Sequence, residues 1–148
     1  MDAKVRELKG CEPKDNFKRN HKDLPNRYYA IDYDLVLIEK VRGVGVPGAI
    51  IDYKSPTDRG LNWSHVSAYK YEKDINGKIV FIIEGDKLAL PTADSPYKIF
   101  EFIDGNQRPN PPEFNLRKLG EVASMQEYQR FEDWARLQIT IRSMQNEA

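Results

Sequence analysis

Residues 79–83 read IVFII, an unbroken apolar run within the stretch KIVFIIEG. A strand with one face in water alternates apolar and polar side chains, so an unbroken run predicts a strand that is buried on both faces. Such a strand needs a packing layer above and below its sheet. The run therefore predicts a layered fold in which other elements cover both faces of a sheet.

The segments before this run are predicted to supply two strands and a helix. The strands are predicted at 27–41, RYYAIDYDLVLIEKV, and at 48–54, GAIIDYK, because both are rich in β-branched and aromatic residues. The turn region 42–48, RGVGVPG, joins them, most simply as an antiparallel hairpin. A helix is predicted at 61–74, LNWSHVSAYKYEKD. One side of this helix is expected to carry Leu61, His65, Ala68 or Tyr69, and Glu72.

The remaining segments extend the same pattern. Two strands of a peripheral extension are predicted at 87–91, KLALP, and at 97–105, YKIFEFIDG. An irregular connection is predicted at 108–115, RPNPPEFN, because it holds three prolines. The residues SMQE at 124–127 have the pattern of a capping box, so an amphipathic helix is predicted from there to about Asn146. This order of elements predicts an α/β sandwich around a mixed sheet.

Length and composition restrict the class of protein. With 148 residues the chain is expected to form one domain, with a basic arm over 1–27, a core region over 28–85 and a C-terminal extension over 86–148. The single Cys11 cannot form an internal disulfide, which favours a reducing compartment. No signal-peptide core and no apolar run of roughly 18 residues occurs, so we expect a soluble cytoplasmic protein without membrane contact.

The charged residues are balanced over the whole chain but not along it. Lys plus Arg and Asp plus Glu number 23 each, so the chain lacks the basic excess of simple nucleic-acid-binding proteins. Residues 1–27 hold eight basic and five acidic residues. Such a mildly basic arm is in most proteins a solvated surface.

The end of the second predicted strand carries a group that is suited to chemistry. Asp52 and Lys54 lie two positions apart and therefore project from one face of the strand, where Asp34 of the neighbouring strand can join them. Two adjacent carboxylates favour a divalent cation with oxygen preference, such as Mg²⁺. Lys54 would then orient or deprotonate a water, or stabilise transition-state charge. The alternative interpretation is a strand end with a structural salt bridge and solvent-facing acids.

The residues YDLVL at 33–37 and GAIIDYK at 48–54 resemble the PD-(D/E)XK nuclease superfamily. The resemblance implies a restriction-endonuclease-like fold, a three-layer sandwich in which helices flank a mixed β-sheet. It implies a nuclease, endo- or exonucleolytic, that depends on Mg²⁺ or Mn²⁺. The implied catalytic residues are Asp34, Asp52 and Lys54, with Asp34 and Asp52 as metal ligands. The resemblance covers roughly residues 1–85.

The chain departs from the family pattern at two places. Tyr33 stands where the motif has proline, and Asp32 lies on the same predicted face as Asp34 and is the alternative ligand. We prefer Asp34 because an apolar run follows it. Many members of the superfamily place a further Glu on the first helix, and Glu7 is the acid that would take this position.

The resemblance also implies nucleic acid as the partner, with DNA favoured over RNA and a homodimer allowed. Contacts to nucleic acid are assigned to His65, Arg59 and Lys70, although a lone histidine on a helix is usually a packed residue. Neither histidine has metal-ligand spacing with Cys11, which argues against a zinc site. The balanced charge favours an alternative function, a catalytically inactive nucleic-acid- or protein-binding module on the same scaffold. A third possible function is that of a small viral or mobile-element interaction protein with no catalytic site.

Overall fold

A computed structural model describes the chain over three stretches: 33–54, 63–86 and 89–145. Several sequence predictions lie outside these described residues: the basic arm over 1–27, the candidate ligands Glu7 and Asp32, and the candidate contact Arg59. The N-terminal part of the first predicted strand, before Tyr33, lies outside them as well.

The first two strands form the predicted antiparallel hairpin. They are β1, Leu35–Val41, and β2, Val44–Lys54. The turn between them has only two residues, Arg42 and Gly43, with φ values of 51° and 82°, which is the backbone of a tight hairpin turn. The prediction of a turn was therefore wrong for residues 44–47, which belong to β2 together with the predicted strand 48–54.

Proline at position 47 is tolerated inside β2 for a physical reason. The register between β1 and β2 shifts beside Ile38, the residue opposite Pro47, and pairing of β2 with its other neighbour begins only at Ala49. β3 therefore makes no pairing with Pro47 that would require the missing N–H.

A helix then links two parallel strands. The helix α1, Trp63–Asp74, follows β2 and precedes β3, Ile79–Glu84, which pairs parallel to β2. Every residue of β3 from Ile79 to Ile83 is buried, as the apolar run predicted. Val66 and Tyr69 of α1 are fully buried and face the sheet.

Two more antiparallel strands complete a five-stranded mixed sheet in the order β1-β2-β3-β4-β5, with β4 at Tyr97–Asn106 and β5 at Glu113–Val122. The strand at β4 was predicted, but it is part of the core and not a peripheral extension, because it pairs with β3 and buries Phe102. The prediction of a strand at 87–91 was wrong for the described residues 89–91, where Leu90 is exposed. The prediction of irregular structure over 108–115 was wrong from Glu113 onward.

The two faces of the sheet have separate cores. On one face Phe81 and Ile83 of β3 pack with Ala135 and Ile139 of the last helix, α2, Met125–Gln145. On the other face Val80, Ile82 and Phe102 pack with Tyr69 of α1. The chain is therefore an α/β protein with a mixed sheet and a helix on each face.

The helix α2 begins as the capping-box pattern predicted. Ser124 Oγ accepts a hydrogen bond from the Glu127 N–H at 3.1 Å, and Glu127 Oε2 accepts one from the Ala123 N–H at 2.6 Å. The helix lies directly on the backbone of β2, because a Cβ atom at Gly48 would overlap the Ile139 side chain. Although α2 has 21 residues, neither it nor the other helix in the described part of the chain is long and apolar enough to cross a membrane.

Candidate functional site

Asp34 and Asp52 meet at one end of the β1–β2 hairpin. The Asp34 N–H donates a hydrogen bond to Asp52 Oδ1 at 3.0 Å, and the Tyr53 N–H donates one to Asp34 Oδ2 at 2.6 Å. Asp34 lies in a bend just before β1 and not within the long strand that was predicted. Its backbone leaves the strand because its N–H bonds a side chain on β2. These two bonds hold the side chains of Asp34 and Asp52 at the same end of the hairpin.

Asp52 is an acid with no solvent exposure. Its Oδ1 accepts the Asp34 N–H and its Oδ2 accepts the hydroxyl of Tyr69. Burial, and after it the charge of Asp52, raises the pKa of Tyr69 far above its ordinary value. The phenol therefore stays protonated and donates to the carboxylate. Both oxygens of the buried carboxylate thus have a donor.

Lys54 lies beside His65 of α1. The Lys54 Nζ is 3.3 Å from His65 Nε2. Burial and the neighbouring Lys54 charge lower the pKa of His65 below its ordinary 6.5, against an opposite effect of Asp52. The imidazole is therefore neutral at pH 7, and since an ammonium can only donate, Nε2 is the acceptor of this contact. Lys54 therefore contacts a hydrogen-bond acceptor that carries no charge.

The spacing of α1 matches the spacing of β2 at this point. His65 and Tyr69 are four residues apart, about 6 Å along one side of a helix. Asp52 and Lys54 are two residues apart, roughly 6.6 Å along one face of a strand. One turn of helix therefore delivers two side chains to two strand positions, Tyr69 to Asp52 and His65 to Lys54.

The role of Tyr69 was missed by sequence reasoning, which placed Ala68 or Tyr69 on one side of the predicted helix and gave neither a part in the site. The signal that was available is the coincidence of an i, i+4 pair of polar side chains on the helix with the D-x-K pair on the strand before it. Tyr33 completes the wall of the site, with its ring 6.5 Å from that of Tyr69. Burial, and then the charges of Glu72 and Asp52, raise the pKa of Tyr33 to about 12.

Lys70, which was predicted to contact nucleic acid, is placed elsewhere on α1. Its Nζ lies 3.3 Å from an Asp104 carboxylate oxygen and donates to the carbonyl of Gly105 at 3.2 Å. It is not brought together with Asp34, Asp52 and Lys54, and its charge is balanced locally. The other predicted contact, Arg59, and the third predicted ligand, Glu7, lie outside the described residues.

The two carboxylates determine which metal ion the site suits. Within 33–54, 63–86 and 89–145, no group of three or more His, Cys, Asp or Glu residues could hold a metal ion. Mg²⁺, however, is commonly bound through one or two carboxylates with water as its other ligands. Asp34 is exposed, whereas Asp52 is buried and each of its oxygens accepts one hydrogen bond. The two side chains are of the type that binds Mg²⁺; Asp34 lies on the solvent side, and both oxygens of Asp52 are already hydrogen-bonded.

No protein-family model, no curated protein and no solved structure matches this chain. The resemblance carried by residues 33–37 and 48–54 therefore remains a proposal. The geometry of Asp34, Asp52 and Lys54, together with their partners on α1, is the basis for a function.

Proposed function

We propose that the protein is a metal-dependent nuclease with a restriction-endonuclease-like fold, which hydrolyses phosphodiester bonds of nucleic acid, DNA in preference to RNA, with Mg²⁺ or Mn²⁺. One observation carries the proposal: Asp34, just before β1, lies next to Asp52 of β2, and Asp52 is two residues before Lys54 on the same strand. The hairpin, the helix that follows it and the parallel strand β3 appear in the order that this fold requires.

Each residue has a distinct role in this proposal. Asp34 and Asp52 hold the ion, which when bound polarises a phosphoryl oxygen and lowers the pKa of a bound water. The Tyr69 hydroxyl and the Asp34 N–H fix the rotamer of Asp52, so the buried ligand is oriented before substrate arrives. The neutral His65 accepts one N–H of Lys54 and leaves the other N–H groups for the water or for a phosphoryl oxygen.

The test is cleavage of end-labelled single- and double-stranded DNA and RNA with Mg²⁺, with Mn²⁺ and with chelator. We expect cleavage with either ion and none in chelator. Asp34→Asn should lower the rate by at least about two orders of magnitude, because a metal ligand is lost. The control is Asp133→Asn, the same change at an exposed position of α2, and it should cleave at the wild-type rate. Cleavage that continues at the same rate in chelator, or full activity of Asp34→Asn, would contradict the proposal.

A second function is a nucleic-acid- or protein-binding module without catalysis on the same scaffold. The burial of Asp52, with both oxygens already bonded, favours it, as does the equal number of basic and acidic residues. Metal binding separates the two functions without any measurement of activity. A metal site should raise the melting temperature in Mg²⁺ or Ca²⁺ for the wild type but not for Asp34→Asn, because an ion that binds only the folded chain stabilises it. A module without a metal site should show no such difference.

A further inference from the structure

The end of β4, the turn that follows it and the adjacent flank of α1 line an open cavity of about 380 Å³. Five residues line it: Lys70, Gly105, Asn106, Gln107 and Arg108. Ser67 and Lys70 of α1 make the contacts to this turn, whereas His65 and Tyr69 contact β2 on another side of the helix. The cavity is therefore separate from the site of Asp34, Asp52 and Lys54.

The cavity wall is fixed by hydrogen bonds to three consecutive residues, the last two of β4 and the first of the turn. Lys70 Nζ donates to the Gly105 carbonyl at 3.2 Å. Asn106 Oδ1 accepts the backbone N–H of Arg108 at 3.1 Å, a local bond that closes the turn. The hydroxyl of Ser67 bonds Gln107 Oε1. These bonds leave the amide nitrogen of Gln107 and the guanidinium of Arg108 available for a ligand.

The side-chain groups of Gln107 and Arg108 that these bonds do not use are hydrogen-bond donors. Because Gln107 accepts through Oε1, its amide nitrogen retains two N–H groups. The guanidinium of Arg108 has no partner among the described residues, since the Asn106 bond uses its backbone N–H. Lys70 is balanced by Asp104, so Arg108 leaves the cavity with an excess positive charge. An amide and a guanidinium beside an ammonium form a donor set suited to the oxygens of a phosphate group.

We propose that this cavity binds a phosphate group. The inference rests on the proposed function, in which that group is a backbone phosphate of the nucleic-acid strand being cut. A Cβ atom at Gly105 would lie 2.9 Å from Val66 Cγ1, and Val66 follows His65 in the helix, so the cavity and Lys54 flank the same turns of α1. A helix with its side chains is about 10–12 Å wide. The phosphate bound in the cavity and the bond at Lys54 are therefore expected to lie on the same strand, separated by a distance on the order of one helix width.

The experiment measures binding of labelled oligonucleotides in Ca²⁺ buffer over a range of salt concentrations. A dinucleotide is too short to reach both sites, whereas a strand of about eight nucleotides spans them. We expect the wild type to bind the longer strand more tightly. Arg108→Ala should weaken that binding several-fold and reduce the salt slope by about 0.7, the value for one single-strand phosphate. Gln107→Ala should weaken it with little change in salt slope, because the amide is uncharged.

The matched control is Arg130→Ala, which removes the same charge from an exposed position of α2 on the opposite face of the sheet. If Arg108→Ala and Arg130→Ala bind alike, the inference is overturned. Titration with inorganic phosphate distinguishes a site for free phosphate from a site for a phosphate of a nucleic-acid strand. Stabilisation of the wild type by free phosphate at concentrations where the longer strand does not bind would overturn the assignment to a nucleic-acid strand. If the wild type never cleaves but Arg108→Ala loses affinity, the nuclease proposal fails and this binding site stands.

Discussion

Tyr69 donates its hydroxyl hydrogen bond to Asp52, a carboxylate with no exposed surface. A buried charge without partners is costly, and here the partners are this phenol and the Asp34 N–H. The same two bonds that make Asp52 tolerable in the core also fix the direction of its oxygens. Stability and the candidate site therefore depend on the same contacts.

The first prediction concerns the loss of that phenol. Tyr69→Phe keeps the ring and its packing against Phe102 but leaves one oxygen of Asp52 without its donor. We expect the free energy of unfolding to fall by about 1.5–3 kcal/mol, the range for a hydrogen bond to a charged group. Urea denaturation measures it. Tyr71→Phe is the matched control, because Tyr71 is exposed on the same helix. Equal stabilities of the two variants would show that the Tyr69–Asp52 bond contributes nothing.

The second prediction concerns pH. The pKa of His65 is lowered in the folded chain, so between that value and about 6.5 the unfolded chain binds a proton that the folded chain does not. The contribution of His65 to stability is therefore complete above pH 6.5 and declines as the pH falls toward the folded pKa. In His65→Gln, which keeps an acceptor for Lys54, the loss of stability from pH 7 to pH 5 should be shallower than in the wild type. Parallel curves from urea denaturation would refute this role of His65.

Some elements were predictable because their signal is local. The buried strand β3 follows from five consecutive apolar residues, and the start of α2 follows from Ser124 and Glu127. Asp34, Asp52 and Lys54 were singled out because a hairpin of the expected length brings such positions together. In each of these cases residues that are close in sequence, or related by one hairpin, decide the structure.

Other features depend on distant parts of the chain. Among the described strands β5 pairs with β4 alone, and its sequence EFNLRKLGEV holds Glu, Asn, Lys and Gly, which are depleted in strands, so its intrinsic strand propensity is low. Pro47 appears to be a turn signal until the limited pairing of β2 is known. The Tyr69–Asp52 bond requires the placement of α1 on the sheet, which sequence spacing alone does not determine.

The third prediction concerns the docking of α2 on β2. A side chain at Gly48 would overlap Ile139, so Gly48→Ala should destabilise the fold by about 1–3 kcal/mol through overpacking. Gly45→Ala is the control on the same strand, because its Cβ would lie 3.3 Å from the exposed Ile38 side chain. In the double variant Gly48→Ala/Ile139→Ala the two losses should not add, since the shortened Ile139 makes room. If the losses of unfolding free energy add in thermal or urea unfolding, the strain in Gly48→Ala does not come from contact with Ile139.

The last prediction concerns Lys54, whose contact with His65 does not by itself distinguish an enzyme from a binding module. If Lys54 acts in the transition state, Lys54→Ala should lower turnover by about two orders of magnitude or more and leave affinity in Ca²⁺ nearly unchanged. If it is one phosphate contact among several, binding should weaken modestly and the salt slope should shrink by about one ion. If it only packs against His65, only stability should change, by roughly 1 kcal/mol or less. Lys40→Ala, at an exposed position of β1, controls for the lost charge. We expect the first result, and cleavage by Lys54→Ala at the wild-type rate would remove Lys54 from the proposed mechanism.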